Sequence, residues 1–301
     1  MFKKATIAVA VALATAGVAQ AQSNVQVYGR MAGYVESIKE GTAGSLTKQT
    51  ADVSRIGIRG SEDLGGGVKA NFKVETRVIN DDPQTRPFGG DWATVGLSNN
   101  LGSLDLGRAK HALGTAIIKY DLFYTDYATT FDNIHSAQNR RLSNGVFARV
   151  NVNPAVSVGY DRGMSETAGV KDQQVYSVNA QLGNISGTAL QYTDGGLNKT
   201  SALGVEVKVP TTGTTLVGFY SEDRQNGVDS TGKSVGVRQR LVGPLSAQAG
   251  YGKTDFAQAY TAGVTYNFSK RTMMHARYGK VDHDNATLDR RQVGVGIEHW
   301  F

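Results

Sequence analysis

The chain has 301 residues, 32 Lys and Arg against 26 Asp and Glu, 37 Gly, only 5 Pro and no Cys. The glycine content without period three or abundant proline excludes collagen, and the missing cysteine excludes a disulfide scaffold. No uncharged apolar run reaches the roughly 18–20 residues of a spanning helix, which excludes a helical membrane protein.

Residues 1–21 read as a secretory signal: Lys3 and Lys4, then an apolar stretch from Ile7, then Ala19-Gln20-Ala21 as the cleavage site. Residues 22–301 are the expected mature chain. Lys3 and Lys4 leave with the signal, so the excess of bases falls from six to four. An excess that small gives no indication of nucleic-acid binding.

From Val25 onward the hydrophobic period is two. Across residues 68–78, Val68, Ala70, Phe72, Val74, Thr76 and Val78 share one face, and Lys69, Asn71, Lys73, Glu75 and Arg77 the other. That alternation specifies a strand. Its length suits a tilted strand crossing a bilayer, which takes about 9–11 residues. The pattern returns in Val156/Val158/Tyr160, Leu203/Val205/Val207, Tyr260/Ala262/Val264 and Val293/Val295/Ile297, with Phe301 in step.

Short turns such as Gly65-Gly66-Gly67, Gly183-Asn184 and Gly243-Pro244 alternate with longer polar connectors at 37–51, 80–91, 163–173, 222–233 and 281–289. About sixteen strands, with short turns on one edge and long loops on the other, indicate an all-β, 16-stranded antiparallel transmembrane β-barrel. Aromatics near strand ends (Tyr28, Tyr34, Trp92, Tyr220, Tyr251, Trp300) are the expected interfacial girdles.

Several motifs then follow in order. They are Val25-Gln26-Val27-Tyr28-Gly29, Ser54-Arg55-Ile56-Gly57-Ile58-Arg59-Gly60-Ser61-Glu62-Asp63-Leu64-Gly65, Val95-Gly96-Leu97, Leu104-Asp105-Leu106-Gly107-Arg108 and the terminal Phe301. With these the chain resembles the Gram-negative general porins, most nearly those of betaproteobacteria. The resemblance implies a homotrimeric channel for passive diffusion of small hydrophilic solutes and anions. Its partners would be outer-membrane lipid and lipopolysaccharide, and the barrel-assembly machinery, which would read Phe301.

Residues 109–139 lack clean alternation but are rich in aromatics, which argues against disorder. The resemblance makes them the third external loop, folded into the lumen. Asp121, Asp126 and Asp132 are its candidate acids, with Glu75 on the wall. Facing them would be Arg30, Arg55, Arg59, Arg77, Arg108 and Arg141; register leaves open whether Arg140 or Arg141 points inward. Arg149, Arg238 and Arg277 are placed nearer the mouths, and Asp105 has no assigned face. Bases outnumber acids in this set, so the expected preference is for anions.

No cofactor or metal is expected. Asp282-His283-Asp284 reads as a solvated loop, and Gly65-Gly66-Gly67 lacks the Gly-Lys-Ser/Thr of a phosphate loop. The chain is therefore read as a channel and not an enzyme. A solute-specific channel is the runner-up, and a barrel hydrolase the distant alternative.

Overall fold

The computed structural model describes residues 24–51, 54–78, 87–123, 134–135 and 140–301. The expected signal segment lies outside them. Alternating sequence yields strands throughout: β1 (Asn24–Glu40), β2 (Leu46–Thr50), β3 (Arg55–Gly65), β4 (Val68–Arg77), β5 (Trp92–Asn99) and β6 (Gly102–Lys110). The helix α1 (Ala112–Tyr120) precedes β7 (Arg141–Asn153), β8 (Val156–Gly163), β9 (Gln173–Leu182), β10 (Ile185–Thr193) and β11 (Lys199–Val209). The wall continues with β12 (Thr214–Gln225), β13 (Val228–Val242), β14 (Leu245–Lys253), β15 (Ala257–Asn267), β16 (Thr272–His283) and β17 (Arg290–Trp300).

All neighbours are antiparallel, and the sheet closes on itself. One side of β1 pairs with β17, from Arg30↔Trp300 to Glu40↔Arg290. The other side pairs with both β2 and β3, Tyr34 opposite Thr50 and Arg30 opposite Arg55. Those two segments are therefore halves of one wall strand, and the wall has sixteen strands. Closure removes the open edge that lipid could not satisfy.

The two faces differ as the alternation requires. On β17, Gln292, Gly294, Gly296 and Glu298 are buried on the inside, while Val293, Val295 and Ile297 are 51–53 % exposed on the outside. An apolar exterior of this extent is tenable only against lipid. Among the described residues no helix is long and apolar enough to cross a membrane.

The hairpins are tight at the short-turn edge. Gly65, Gly66 and Gly67 take φ of +84°, +61° and +78°, where a side chain would strain the backbone. Two expected loops are mostly strand. Residues 222–233 form a hairpin around Asn226-Gly227, whose φ values of +50° and +84° suit a tight two-residue turn. Between β1 and β2 only residues 41–45 are unpaired. In both places polar residues on either face hide the period, because the hairpins rise into water.

Four of the six aromatics expected in the interfacial girdles face the lumen instead. Tyr28, Tyr34, Trp92 and Trp300 share the inward parity of their strands, and Tyr34 is buried. The outward aromatics are Tyr176, Tyr220, Tyr251, Tyr260 and Tyr278 toward the long loops, and Tyr266, Phe268 and Phe301 toward the short turns.

Candidate functional site

The chain leaves the wall after Lys110 and turns inward as α1. His111 caps the helix, its Nδ1 accepting from Gly114 N at 3.4 Å. From β8, Asp161 accepts from Ala112 N at 2.8 Å, placing a carboxylate at the positive end of the helix. Arg149 neutralises that carboxylate with contacts of 2.5 and 3.0 Å.

The apolar side of α1 then packs on the inner wall. Leu113, Ile117 and Tyr120 meet Val175, Leu190, Tyr192, Ala202 and Phe219, and Tyr120 donates to Thr188 Oγ1 at 2.9 Å. Gly204 leaves room for the Tyr120 ring, which an added Cβ would strike. Beyond the helix, Arg238 donates to the Leu122 carbonyl, and Arg277 donates to that of Phe123 at 3.1 Å. Ile134 packs on Ala257, Ala259 and Val281. His135 bonds the hydroxyls of Ser221 (2.9 Å) and Ser234 (2.8 Å), and burial pushes its pKa down to about 3. The described residues of the third loop thus lie along the inside of β9–β16.

The chain Ser234–His135–Ser221–Asp223 has the residue types of a hydrolytic site, with Ser221 donating to Asp223 at 2.7 Å. All four are buried, however, and a nucleophile that no substrate reaches is a loop anchor.

Opposite this docked half, β3, β4 and the ends of β6 and β7 carry charge. Glu75 lies beneath Arg55 (4.0 Å) and Lys73 (3.6 Å) and accepts from Tyr28 Oη at 2.8 Å. Asp91 lies beneath Arg77 (3.8 Å) and Arg141 (3.2 Å). Arg59 stacks over Tyr28, and Lys73 sits 3.7 Å above the Trp92 ring. Lys110 is within electrostatic reach of Arg55, Arg141, Glu75 and Asp91.

The layering decides the sign of the surface. The Glu75 and Asp91 side chains are 6 % and 9 % exposed, whereas Arg55 and Lys73 are 32 % and 30 % exposed. Bases form the water-facing layer, and acids hold it from below.

Of the expected basic residues, Arg55, Arg59, Arg77 and Arg141 come together here. Arg30 does not join them. It is 4 % exposed and bound to Glu298, with Nε at 2.9 Å and Nη2 at 2.5 Å from Oε2. The partner was missed because it lies 268 residues away, across the barrel seam. Tyr34, His275 (2.8 Å) and Arg277 (4.0 Å) complete that buried cluster.

Arg108 is within electrostatic reach of Arg141 but makes its own bonds apart from the others. It pairs with Ala93 and shares the outward parity of Leu104 and Leu106, bonding Gly90 O at 2.7 Å and the Ser143 hydroxyl. Alternation alone carried that signal.

Among the acids, Glu75 is a wall residue as expected, but buried. Asp121 is 2 % exposed and accepts from Phe123 N at 2.8 Å, so it braces the loop turn and is not presented to the channel. It interacts electrostatically with Arg140, while Arg141 turns to Asp91. Asp126 and Asp132 lie outside the described residues. Asp105 shares the inward face with Gly96. Arg149, Arg238 and Arg277 serve the loop. Asp282 is ion-paired to Lys280 at 2.7 Å. Lys73, Asp91 and Lys110 were missed. The period marks Lys73 as inward, whereas Asp91 and Lys110 flank loops, where period says nothing.

Phe301 exchanges backbone hydrogen bonds with Gly29, 3.1 Å each way. Its ring occupies the space a Gly29 side chain would need.

Comparison with known proteins agrees with this geometry. A family model described as Gram-negative porin matches residues 7–286. The chain is 40 % identical over 126 residues to outer membrane porin protein 32 of Delftia acidovorans, a match spanning 40 % of this chain and 36 % of that protein. The fold is similar to the anion-selective porin from Comamonas acidovorans, with TM-score 0.81, 22 % identity and coverage of 93 % and 100 % of the two chains. It is also similar to the trimer form of OmpT from Vibrio cholerae, with TM-score 0.70, 15 % identity and coverage of 93 % and 99 %. A closed sixteen-stranded barrel, a loop docked inside it and a family match over most of its length together place this chain in the Gram-negative porin family.

Proposed function

We propose that the chain forms a water-filled outer-membrane channel through which small hydrophilic solutes and ions diffuse, with a preference for anions. The observation that carries this is the layering of the charged wall. Arg55, Lys73, Arg77 and Arg141 stand over two buried acids, Glu75 and Asp91, with Arg59 stacked on Tyr28 and Lys110 within electrostatic reach beside them. Arginine keeps its charge at any physiological pH. In a narrow passage walled by protein, its field is screened less than on an open surface. Asp126 and Asp132 are the loop acids that would complete a transverse field.

On this reading the protein is a homotrimer of channels, not an enzyme, with residues 1–21 removed on export. Barrel-assembly machinery reads the C-terminal Phe301, and lipopolysaccharide surrounds the outer rim. Reconstitution in a planar bilayer tests the channel: purified protein should give stepwise, ohmic current increments, and a non-conducting barrel would sink the proposal. Deleting Phe301 should lower the amount reaching the outer membrane; unchanged amounts would remove its assembly role.

A further inference from the structure

The charged wall repeats one arrangement twice. Glu75 lies against Arg55 and Lys73, and Asp91 against Arg77 and Arg141, so each buried acid answers two bases. Lys110 has no such acid. It stands directly opposite Arg141 in the β6–β7 register. Like charges directly opposite on neighbouring strands oppose pairing. Arg55 and Arg141 act on Lys110 more strongly than Glu75 and Asp91 do. Among the described residues no carboxylate oxygen lies within 4.0 Å of its amine.

Arg55 is the other base with capacity to spare. Its nearest carboxylate, Glu75, stands 4.0 Å from Nη1, beyond hydrogen-bond reach, and water reaches the guanidinium. Lys73 shows the contrast. Its amine has Glu75 at 3.6 Å and the Trp92 ring at 3.7 Å, so it is matched on both sides. Lys110 is half-buried among cations. An amine held that way, with no carboxylate on it, is of the kind that reacts as a nucleophile. An acid placed here would complete a third set in which one anion answers two bases.

We propose that the Lys110 amine takes up carbon dioxide as a carbamate, whose oxygens accept from the guanidiniums of Arg55 and Arg141. The amine lone pair attacks the carbon of CO2, and a C–N bond forms. One C=O π pair moves onto oxygen, and the nitrogen gives a proton to water. Nothing is oxidised or reduced, and withdrawal of CO2 reverses the step. Charge-assisted hydrogen bonds from guanidinium to a carboxylate-like group favour the adduct. One cation of the basic layer becomes an anion, so CO2 weakens the anion preference. That consequence rests on the channel reading above, whereas the adduct itself does not.

Two measurements on the purified protein test the proposal. In a planar bilayer under a KCl gradient at fixed pH, equilibrating the bath with CO2 should lower the chloride-to-potassium permeability ratio at least twofold. Degassing should restore it. In detergent, alkylation of the carbamate with triethyloxonium followed by peptide mass mapping should place the adduct on Lys110 and not on Lys73 or the exposed Lys48. Lys110→Arg keeps a cation without a nucleophilic amine, and it should lose both the adduct and the response. Lys73→Arg should retain both. Should Lys110→Arg fail to fold, Arg55→Gln, which keeps the amine and removes one partner of the carbamate, should reduce trapping several-fold. No adduct on Lys110, or equal trapping on Lys48, would overturn the proposal. So would a permeability ratio indifferent to CO2. A response that persists in Lys110→Arg would overturn it in favour of bicarbonate bound without a covalent bond. Trapping needs no current, so a barrel that does not conduct and an amine that does not react are told apart.

Discussion

The two halves of the inner wall obey one alternation and carry different chemistry. Along β3 and β4 the inward positions are Arg55, Arg59, Lys73 and Arg77, which water reaches, with Glu75 buried beneath them. Along β9–β12 they are Val175, Ser177, Thr188, Leu190, Tyr192, Ala202, Val217 and Phe219, which the third loop covers. Facing the lumen is therefore not the same as facing water. Where the loop docks, the barrel has a dry core of its own, built from apolar and hydroxyl side chains. Where the loop is absent, charge is affordable because each base keeps solvent on one side.

The contrast breaks first at the buried charges. Glu298→Ala would leave Arg30, Arg277 and His275 without their common partner, and breaking a buried pair typically costs about 3–5 kcal/mol. The same truncation of Arg55 on the wet side should cost only about 0–1 kcal/mol. Denaturant unfolding in detergent measures both, and equal midpoints would abolish the distinction. Next in size, Tyr120→Ala removes a fully buried ring from the dry half, a loss of roughly 3–5 kcal/mol if the site cannot collapse. The loop should loosen, which single-channel recording would register as higher conductance and open-channel noise. A quiet channel of wild-type conductance would mean the helix does not hold the constriction.

The third test uses pH. His135 has a folded-state pKa pushed to about 3 by burial, below its ordinary value near 6.5. Its anchoring contribution is then complete above about pH 6.5 and is lost as pH falls toward about 3, because only the released form gains a proton across that window. Noise should rise on acidification from pH 7 to 4, and His135→Gln should flatten that dependence. A wild-type trace insensitive to pH over this range would contradict the anchor. The smallest effect is expected at Arg108. Its outward parity predicts that Arg108→Gln leaves ion selectivity unchanged, whereas Arg55→Gln/Arg141→Gln lowers the anion preference.

Arg55 and Arg108 show how far the sequence could be read. Period two located nearly every wall strand and put Arg55, Arg59, Lys73 and Arg77 inward, because one lipid face forces strict alternation. The same rule, applied to Leu104, Leu106 and Arg108, gives the outward placement that motif resemblance overrode. Arg30 was assigned the correct face and the wrong surroundings. Its neighbours Glu298 and His275 come from the far end of the chain, and closure of the barrel, not local pattern, brings them together. The loop was legible as an interruption of the period. The helix within it was not, since nine residues with one apolar side are too short to stand out among strands. Burial of Glu75 and Asp91 beneath bases depends on side-chain layering, which no one-dimensional pattern encodes.

A basic water-facing layer at the constriction should set the sign of the current the channel favours. Reversal potentials of wild-type channels in a planar bilayer under a KCl gradient test it most directly. The account predicts a potential whose sign reports faster passage of chloride than potassium, shrinking as total salt rises because added ions screen the wall. A channel that prefers potassium would contradict it.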